Sequence, residues 1–328
     1  MFCRREFLAS MALWPGAVRD VMQGFVPALQ FRAGRVRPVE SEFLVNGKPL
    51  LVAVEGNDIA KMLAASLERF PALDSMLQGK RVLIKPNATA SEPYPVTTDV
   101  MLLKAVVERV KRAGAVEITI SDSSSFAGLS NDRVFTKLGY HQLAKKEAIK
   151  AIAIDSQVGS DYVRVSSLKW KTNPFLLTDR HVNQADFVVN LAIPKRHHIA
   201  DFSCALKNNF GCTYGTFRML AHARGEEFFD DSLVEFADAV RPNLTIVDAR
   251  LILAKFGPAF HPGKSEIIPA NRLVLSADMV ATDCYCGHLM EKLDPTFNPN
   301  NRVKRQLEYA QSLGLGQLNP AKVEIIEV

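Results

Sequence analysis

Apolar residues recur along the first half of the chain in two alternating rhythms. Leu50 to Gly56 (LLVAVEG), RVLIKPN (81–87), VEITISD (116–122) and KAIAID (150–155) are short runs of almost unbroken apolar character. Such runs suit strands of a sheet covered on both faces. Between them the spacing lengthens to that of a helix. IAKMLAASLERF follows Asn57, a plausible N-cap. Val100 to Ala113 carries a stripe of Leu102, Val106, Val107 and Val110, opened by Thr98 or Asp99 and closed by Gly114. A third helix opens at Asn131 and ends near Gly139. The order β-α-β-α-β-α-β predicts an α/β fold, a mostly parallel sheet flanked by helices.

The second half is less regular. YVRVSSL and FLLTD read as short strands of a hairpin, and DFVVNLAIP (186–194) as a core strand. LTIVDAR (244–250), RLVLSAD (272–278) and KVEIIEV (322–328) read as later strands. Helices over 229–240, 279–292 and 302–313 separate them. The pattern leaves open whether these elements form one sheet or two lobes. Residues 20 to 48 hold arginines, Pro27 and Pro38 without a clear period. The chain therefore divides into an export signal and arm (1–48) and an α/β domain (49–328).

Composition narrows the partners. With 328 residues, 48% hydrophobic, the chain can bury a large core. A net charge of +5 without a Lys/Arg run excludes a nucleic-acid arm and favours a small anionic molecule. The N-terminus, MFCRREFLASMALWPGAV, has Arg4-Arg5 ahead of a short apolar segment. That pattern predicts twin-arginine export to the periplasm; the alternative is an amphipathic helix of a cytoplasmic protein. No later segment is apolar enough to anchor the chain in a membrane.

Ligands of open α/β sheets sit beyond the carboxyl ends of the strands. The polar residues there are Lys85 and Asn87, then Asp122 with Ser123, Ser124 and Ser125, then Lys195, Arg196, His197 and His198, then Asp248 and Arg250, and finally Asp278 with Asp283 a little over one helical turn on. Hydroxyls and backbone N–H groups before a helix can cradle phosphate or carboxylate, but SDSSSF lacks the glycines of a nucleotide loop. Lys85, Asn87, Ser123–Ser125, Lys195 and Asn208 are candidate substrate-binding residues. His197, His198 and Lys207 are candidate catalytic residues. Adjacent residues of a strand or helix point apart, so one histidine is expected to serve the site. Asp201 to Phe210 reads as helix-compatible, with Lys207 in an apolar setting that would lower its pKa. Asp122, Asp248 and Asp283 could orient these groups or bind a divalent cation. FGPAFHPGK (256–264) reads as a rim or lid.

VLIKPN (82–87), PVTTD (95–99), ITISDSSS (118–125), DFVVNLAIPK (186–195), ALKNNFG (205–211), LTIVDAR, GPAFHPG (257–263) and SADMVATD (276–283) occur in this order. Together they resemble the domain-of-unknown-function family 362 over about residues 50 to 290. The resemblance implies no assigned activity. Some members carry a fused ferredoxin-type domain; this sequence has no C-x2-C-x2-C run, so that property is not carried over, while twin-arginine signals among relatives support export. A histidine, a spacer and a lysine also resemble the nickel-pincer lactate racemases. There the lysine holds the cofactor and histidines exchange protons, parts that His197 and Lys207 would take. Asp201, Phe202 and Ser203 depart from the glycine-rich spacer of that family.

Three functions follow. The first is an enzyme acting on a small carboxylate or phosphate by Lys/His acid–base chemistry. The second is a metal or iron–sulfur protein using Cys204, Cys212, Cys284 and Cys286, with His288 nearby; these spacings match no standard zinc or ferredoxin pattern. The third is a non-catalytic periplasmic solute-binding protein.

Overall fold

The computed structural model describes residues 33–34, 43–70, 72–124, 130–154, 161–299 and 301–328. The Arg4-Arg5 segment, Cys3, most of the arm and Ser125 lie outside them. In chain order the elements are β1 (Leu44–Val45), β2 (Lys48–Glu55), α1 (Ile59–Leu67), α2 (Leu73–Leu77), β3 (Arg81–Lys85), α3 (Val100–Arg112) and β4 (Glu117–Asp122). Then come α4 (Asn131–Lys137), α5 (Tyr140–Glu147), β5 (Lys150–Ala153), β6 (Tyr162–Val165), β7 (Leu176–Asp179), α6 (Arg180–Gln184) and β8 (Phe187–Ala192). The site-bearing segment follows as β9 (Lys195–His197), β10 (Asp201–Ser203), α7 (Ala205–Asn208) and α8 (Gly215–Ala223), with a single 3₁₀ turn, Asn209–Cys212, between the two helices. The last elements are α9 (Glu226–Val240), β11 (Leu244–Ala254), β12 (Glu266–Ser276), α10 (Met279–Leu293), α11 (Asn301–Ser312) and β13 (Glu324–Glu327).

The strands form one mixed, mostly parallel 11-stranded sheet whose main path runs β1-β2-β12-β11-β8-β3-β4-β5. From β11 to β5 every neighbour is parallel. The long β11–β12 pair and its neighbour β2 are antiparallel, and β13 runs parallel along β2. β6 and β7 make the separate hairpin expected from the sequence.

Both faces of the sheet are covered, as the unbroken apolar runs require. Val82 and Ile84 of β3, Leu191 of β8 and Ile246 of β11 pack with Leu63 of α1 and Leu102 and Val106 of α3. Their neighbours Ala192 and Val247 turn to the opposite layer, with Phe229 and Phe236 of α9, Val280 of α10 and Ala310 of α11. Asp99 caps α3 by accepting from Met101 N, and Gly114 follows that helix with φ +84°. The cap of α1 is Asp58, whose carboxylate accepts from Ala60 and Lys61 N, one residue beyond the expected Asn57.

Two expectations about local structure are corrected. The segment 201–210 is not one helix. Asp201, at φ +61°, pairs with His197 in a short antiparallel hairpin, and helix begins only at Ala205. β11 and β12 also extend well past LTIVDAR and RLVLSAD, because their outer halves pair with each other. FGPAFHPGK is therefore the tip of a long hairpin.

Candidate active site

β3 lies between β4 and β8, so the connections from β3 to β4 and from β8 to β11 leave in opposite directions. That reversal opens a crevice beyond the strand ends, and the polar residues of β3, β4 and β8 meet there. Lys85 Nζ donates to Asp122 Oδ1 at 2.8 Å and to the Pro86 carbonyl at 3.0 Å. Asp122 Oδ2 accepts from Ala88 N at 2.8 Å. Both side chains are buried, and a buried pair with its remaining lone pairs satisfied fixes the strand ends firmly.

Beside it runs a chain of buried amides. Asn87 Nδ2 donates to Asn208 Oδ1 at 2.9 Å, and Asn208 Nδ2 donates to Asn190 Oδ1 at 2.7 Å. This ties the β3 end to β8 and to α7. Lys195 Nζ donates to the Val96 carbonyl at 2.6 Å and to Asn87 Oδ1 at 3.3 Å. Its ammonium is fully buried with no carboxylate in ion-pair contact among the described residues, and burial lowers its pKa to about 7 despite Glu92 and Asp122.

Lys207 projects from α7 onto aromatic rings. Its Nζ lies 3.7 Å from the Phe210 ring centre and 6.0 Å from that of Phe229. Among the described residues it has no hydrogen-bond or ion-pair partner. Burial, then the charges of Lys195, Arg218 and Lys85, lower its pKa to about 7 against the pull of Asp122. The position was expected from its apolar frame; the crowd of cations was not.

His197 and His198 lie side by side, because the chain leaves β9 between them. Their rings stack at 5.2 Å and 10°. They line a cleft of about 260 Å³ with Arg196, Asp201, Lys255, Phe256 and Gly257. The Gly257 carbonyl accepts from His198 N at 3.2 Å and bonds His198 Nδ1 at 2.9 Å. A Cβ on Gly257 would stand 2.0 Å from the Arg196 carbonyl, so the hairpin tip closes on β9 only because that residue is glycine. The tip is a rim of the cleft. Burial, then Lys207, hold the His197 pKa well below its ordinary value.

Arg218 and His222 of α8 also lie here, outside the residues that the sequence pattern singles out. Arg218 is buried and donates to the Ser124 carbonyl at 3.1 Å. His222 Nδ1 bonds the Arg218 carbonyl at 2.6 Å, and its ring meets Phe210 and Phe229 edge-on. Burial and then Lys207 lower its pKa to about 4. The signal was an arginine and a histidine four residues apart in GTFRMLAHA, which places them on one helix face.

Other expected residues are placed elsewhere. Asp283 does not face the crevice; its oxygens accept from Ala205 N at 2.6 Å and Leu206 N at 3.1 Å, capping the helix that carries Lys207. Burial raises its pKa to about 6. Asp248 is held by Arg250 and by Tyr94 Oη at 2.9 Å, tying the 93–95 loop to β11. Ser123 Oγ donates to the Gly211 carbonyl at 2.8 Å, and Ser124 is bonded to Asn131; both serines brace loops. Gly211 abuts the carboxylate, since a Cβ there would fall 1.9 Å from Asp122 Oδ1.

The four cysteines do not assemble. Cys204 neighbours Cys286 and Asp283, whereas Cys212 lies toward Lys85, Asp122 and Asp179. Cys284 and Cys286, two apart on α10, point away from each other. Burial pushes the Cys204, Cys212 and Cys284 thiols up. Among the described residues no group of three His, Cys, Asp or Glu side chains has metal-binding geometry, including Asp122, Asp248 and Asp283. Nor is any described helix long and apolar enough to cross a membrane.

Residues 82–288 match the family model described as "Domain of unknown function (DUF362)". A thylakoid-associated protein of Synechocystis sp., sll1697, is 26% identical over 278 residues, covering 83% of this chain and 79% of that protein. A solved structure of the lactate racemase apoprotein from Thermoanaerobacterium thermosaccharolyticum aligns with a TM-score of 0.47 and 14% identity. That alignment covers 79% of this chain and 62% of the racemase chain.

Proposed function

This chain belongs to the DUF362 family, and on that premise we propose that it is an enzyme for a small anion, a carboxylate or a phosphate, with Lys207 as its proton-transferring group. One observation carries the reading. The charges acting most strongly on Lys207 are Lys195, Arg218 and Lys85, with Asp122 the one carboxylate, and Asp122 is already paired to Lys85. Lys195 and Lys207, which have no carboxylate in ion-pair contact among the described residues, are stabilised by an anionic ligand. A lysine whose pKa lies near neutrality can both take up and return a proton. Lys195 and Arg218 would hold the anion, Asn87 and Asn208 would fix the frame, and His198 at the rim would be a second proton carrier.

The test uses native mass spectrometry on freshly purified protein, and thermal shifts with acetate, malonate and inorganic phosphate. Binding of at least one anion is expected to stabilise the fold by mass action. A retained carboxylic acid incubated with the protein in D2O should gain deuterium at carbon, and Lys207→Met should stop that exchange. Stabilisation without deuterium uptake would favour solute binding over catalysis. No stabilisation by any anion, and no retained ligand, would overturn both.

A further inference from the structure

The hydrogen bonds around His197 determine which of its nitrogens carries a proton. His197 Nδ1 lies 3.1 Å from Ile199 N and 3.1 Å from Ala200 N. A backbone N–H can only donate, so Nδ1 is an acceptor from both and carries no hydrogen. The ring proton of neutral His197 therefore sits on Nε2. Protonating Nδ1 would turn two hydrogen bonds into two repulsions. His197 is more than nine-tenths buried, and among the described residues its ring is hydrogen-bonded through Nδ1 alone.

The ring is also held in place. It stacks on His198, which stacks in turn on Phe256 at 5.8 Å and 16°, and the Phe229 ring centre is 6.5 Å away. Lys207 Nζ lies 6.0 Å from that same Phe229 ring. His198 differs: its Nδ1 faces a carbonyl, Gly257 O, so Nδ1 carries the hydrogen and Nε2 is left as the basic nitrogen. Neighbouring imidazoles in one stack are thus set in opposite tautomers by the backbone atoms they meet.

Resting on the anion-site reading above, we propose that His197 is a permanently neutral hydrogen-bond donor, presenting Nε2–H to an oxygen of the bound anion, and not a proton carrier. Proton exchange then falls to Lys207 and His198. A neutral donor fixed in this way contributes its hydrogen bond without gaining or losing charge during the reaction. The facing charged and titratable groups are Lys207 on α7, His222 on α8, His198 at the rim and Lys195 on β9.

Long-range ¹H–¹⁵N spectra of protein labelled in its 7 histidines decide the tautomer directly, with His197→Gln identifying the signal. The expected result is an Nε2–H ring that does not titrate between pH 5.5 and 8 on the ordinary scale of histidine. An Nδ1–H tautomer, or titration near 6.5, overturns the proposal whether or not any anion binds. Affinity for acetate and phosphate gives the second readout. A glutamine amide can reach the place of Nε2–H, whereas an asparagine amide mimics Nδ1 alone. His197→Gln is expected within about threefold of wild type and His197→Asn about tenfold weaker, the loss of one hydrogen bond to a charged group. Equal loss in both variants, with the fold intact, would remove His197 from the donor role. Wild-type protein that binds no anion would instead defeat the anion-site reading, and the spectrum would still decide the tautomer.

Discussion

Two buried charged regions of this molecule are built on opposite plans. Along α9 the buried carboxylates Asp230, Glu235 and Asp238 are each closed by their neighbours. Asp230 accepts from Arg302 at 2.9 Å and Gln306 at 2.7 Å, and also pairs with Arg305. Glu235 accepts from the backbone N–H groups of Lys171, Thr172 and Asn173 and from Tyr309 Oη. Asp238 accepts from Trp170 Nε1 at 2.6 Å and from Arg241. At the ends of β3 and β8, by contrast, Lys85 has a carboxylate in ion-pair contact, whereas among the described residues Lys195 is held by carbonyl oxygens and Lys207 by an aromatic face. The α9 seam uses charge to fasten α9 to α11 and to the 170–173 loop. On the function proposed above, the crevice would keep charge available to an anion that the chain does not itself supply.

The contrast can be broken most forcefully in the seam. Asp230→Ala should destabilise the fold by about 3 kcal/mol, because it strips a buried carboxylate from the arginines packed on it. Urea denaturation checks this, and a loss under about 1 kcal/mol would mean that the seam is ornamental. Lys207→Met should do the reverse. Its stability should be unchanged or about 1 kcal/mol higher, while affinity for a stabilising anion falls about tenfold or more. A Lys207→Met protein that unfolds like Asp230→Ala would erase the distinction between the two regions.

A finer test is the pH dependence. Lys195 and Lys207 sit near 7 in the fold against an ordinary 10.5. Between those values the unfolded chain binds more protons, so these groups make stability rise with pH, and their penalty is fully present below about 7. Lys207→Met should therefore show a shallower rise between pH 7 and 9 than wild type, by up to about one proton. Identical slopes would place the Lys207 pKa outside this window. Smallest of all, binding of an anion at pH 8 should take up a fraction of a proton, measured by calorimetry in buffers of different ionisation enthalpy.

Much of this was legible in the residues, for a physical reason. A parallel strand buried on both faces must be apolar until it ends, so the first polar residue after each run marks the rim. That rule located Lys85, Asp122 and Lys195. It failed for Asp248, because β11 continues beyond that residue as half of a long hairpin, and for Asp283, whose spacing along α10 aims it at a helix terminus. Arg218 and His222 were hidden because α8 follows a 3₁₀ turn and ends no strand. The pairing of His197 with His198 was invisible for a related reason: the rule that neighbours point apart holds inside a regular element, and the chain turns between them.

One contact constrains how this crevice can vary. The 3₁₀ turn approaches the β4 carboxylate so closely at Gly211 that even a methyl group would collide with Asp122 Oδ1. That turn joins α7 to α8, so a backbone without a side chain sets the spacing between the lysine helix and the arginine–histidine helix. Replacing glycine there would pry two helices off one aspartate at once. The inventory of chemical groups would be intact, and their alignment would be gone.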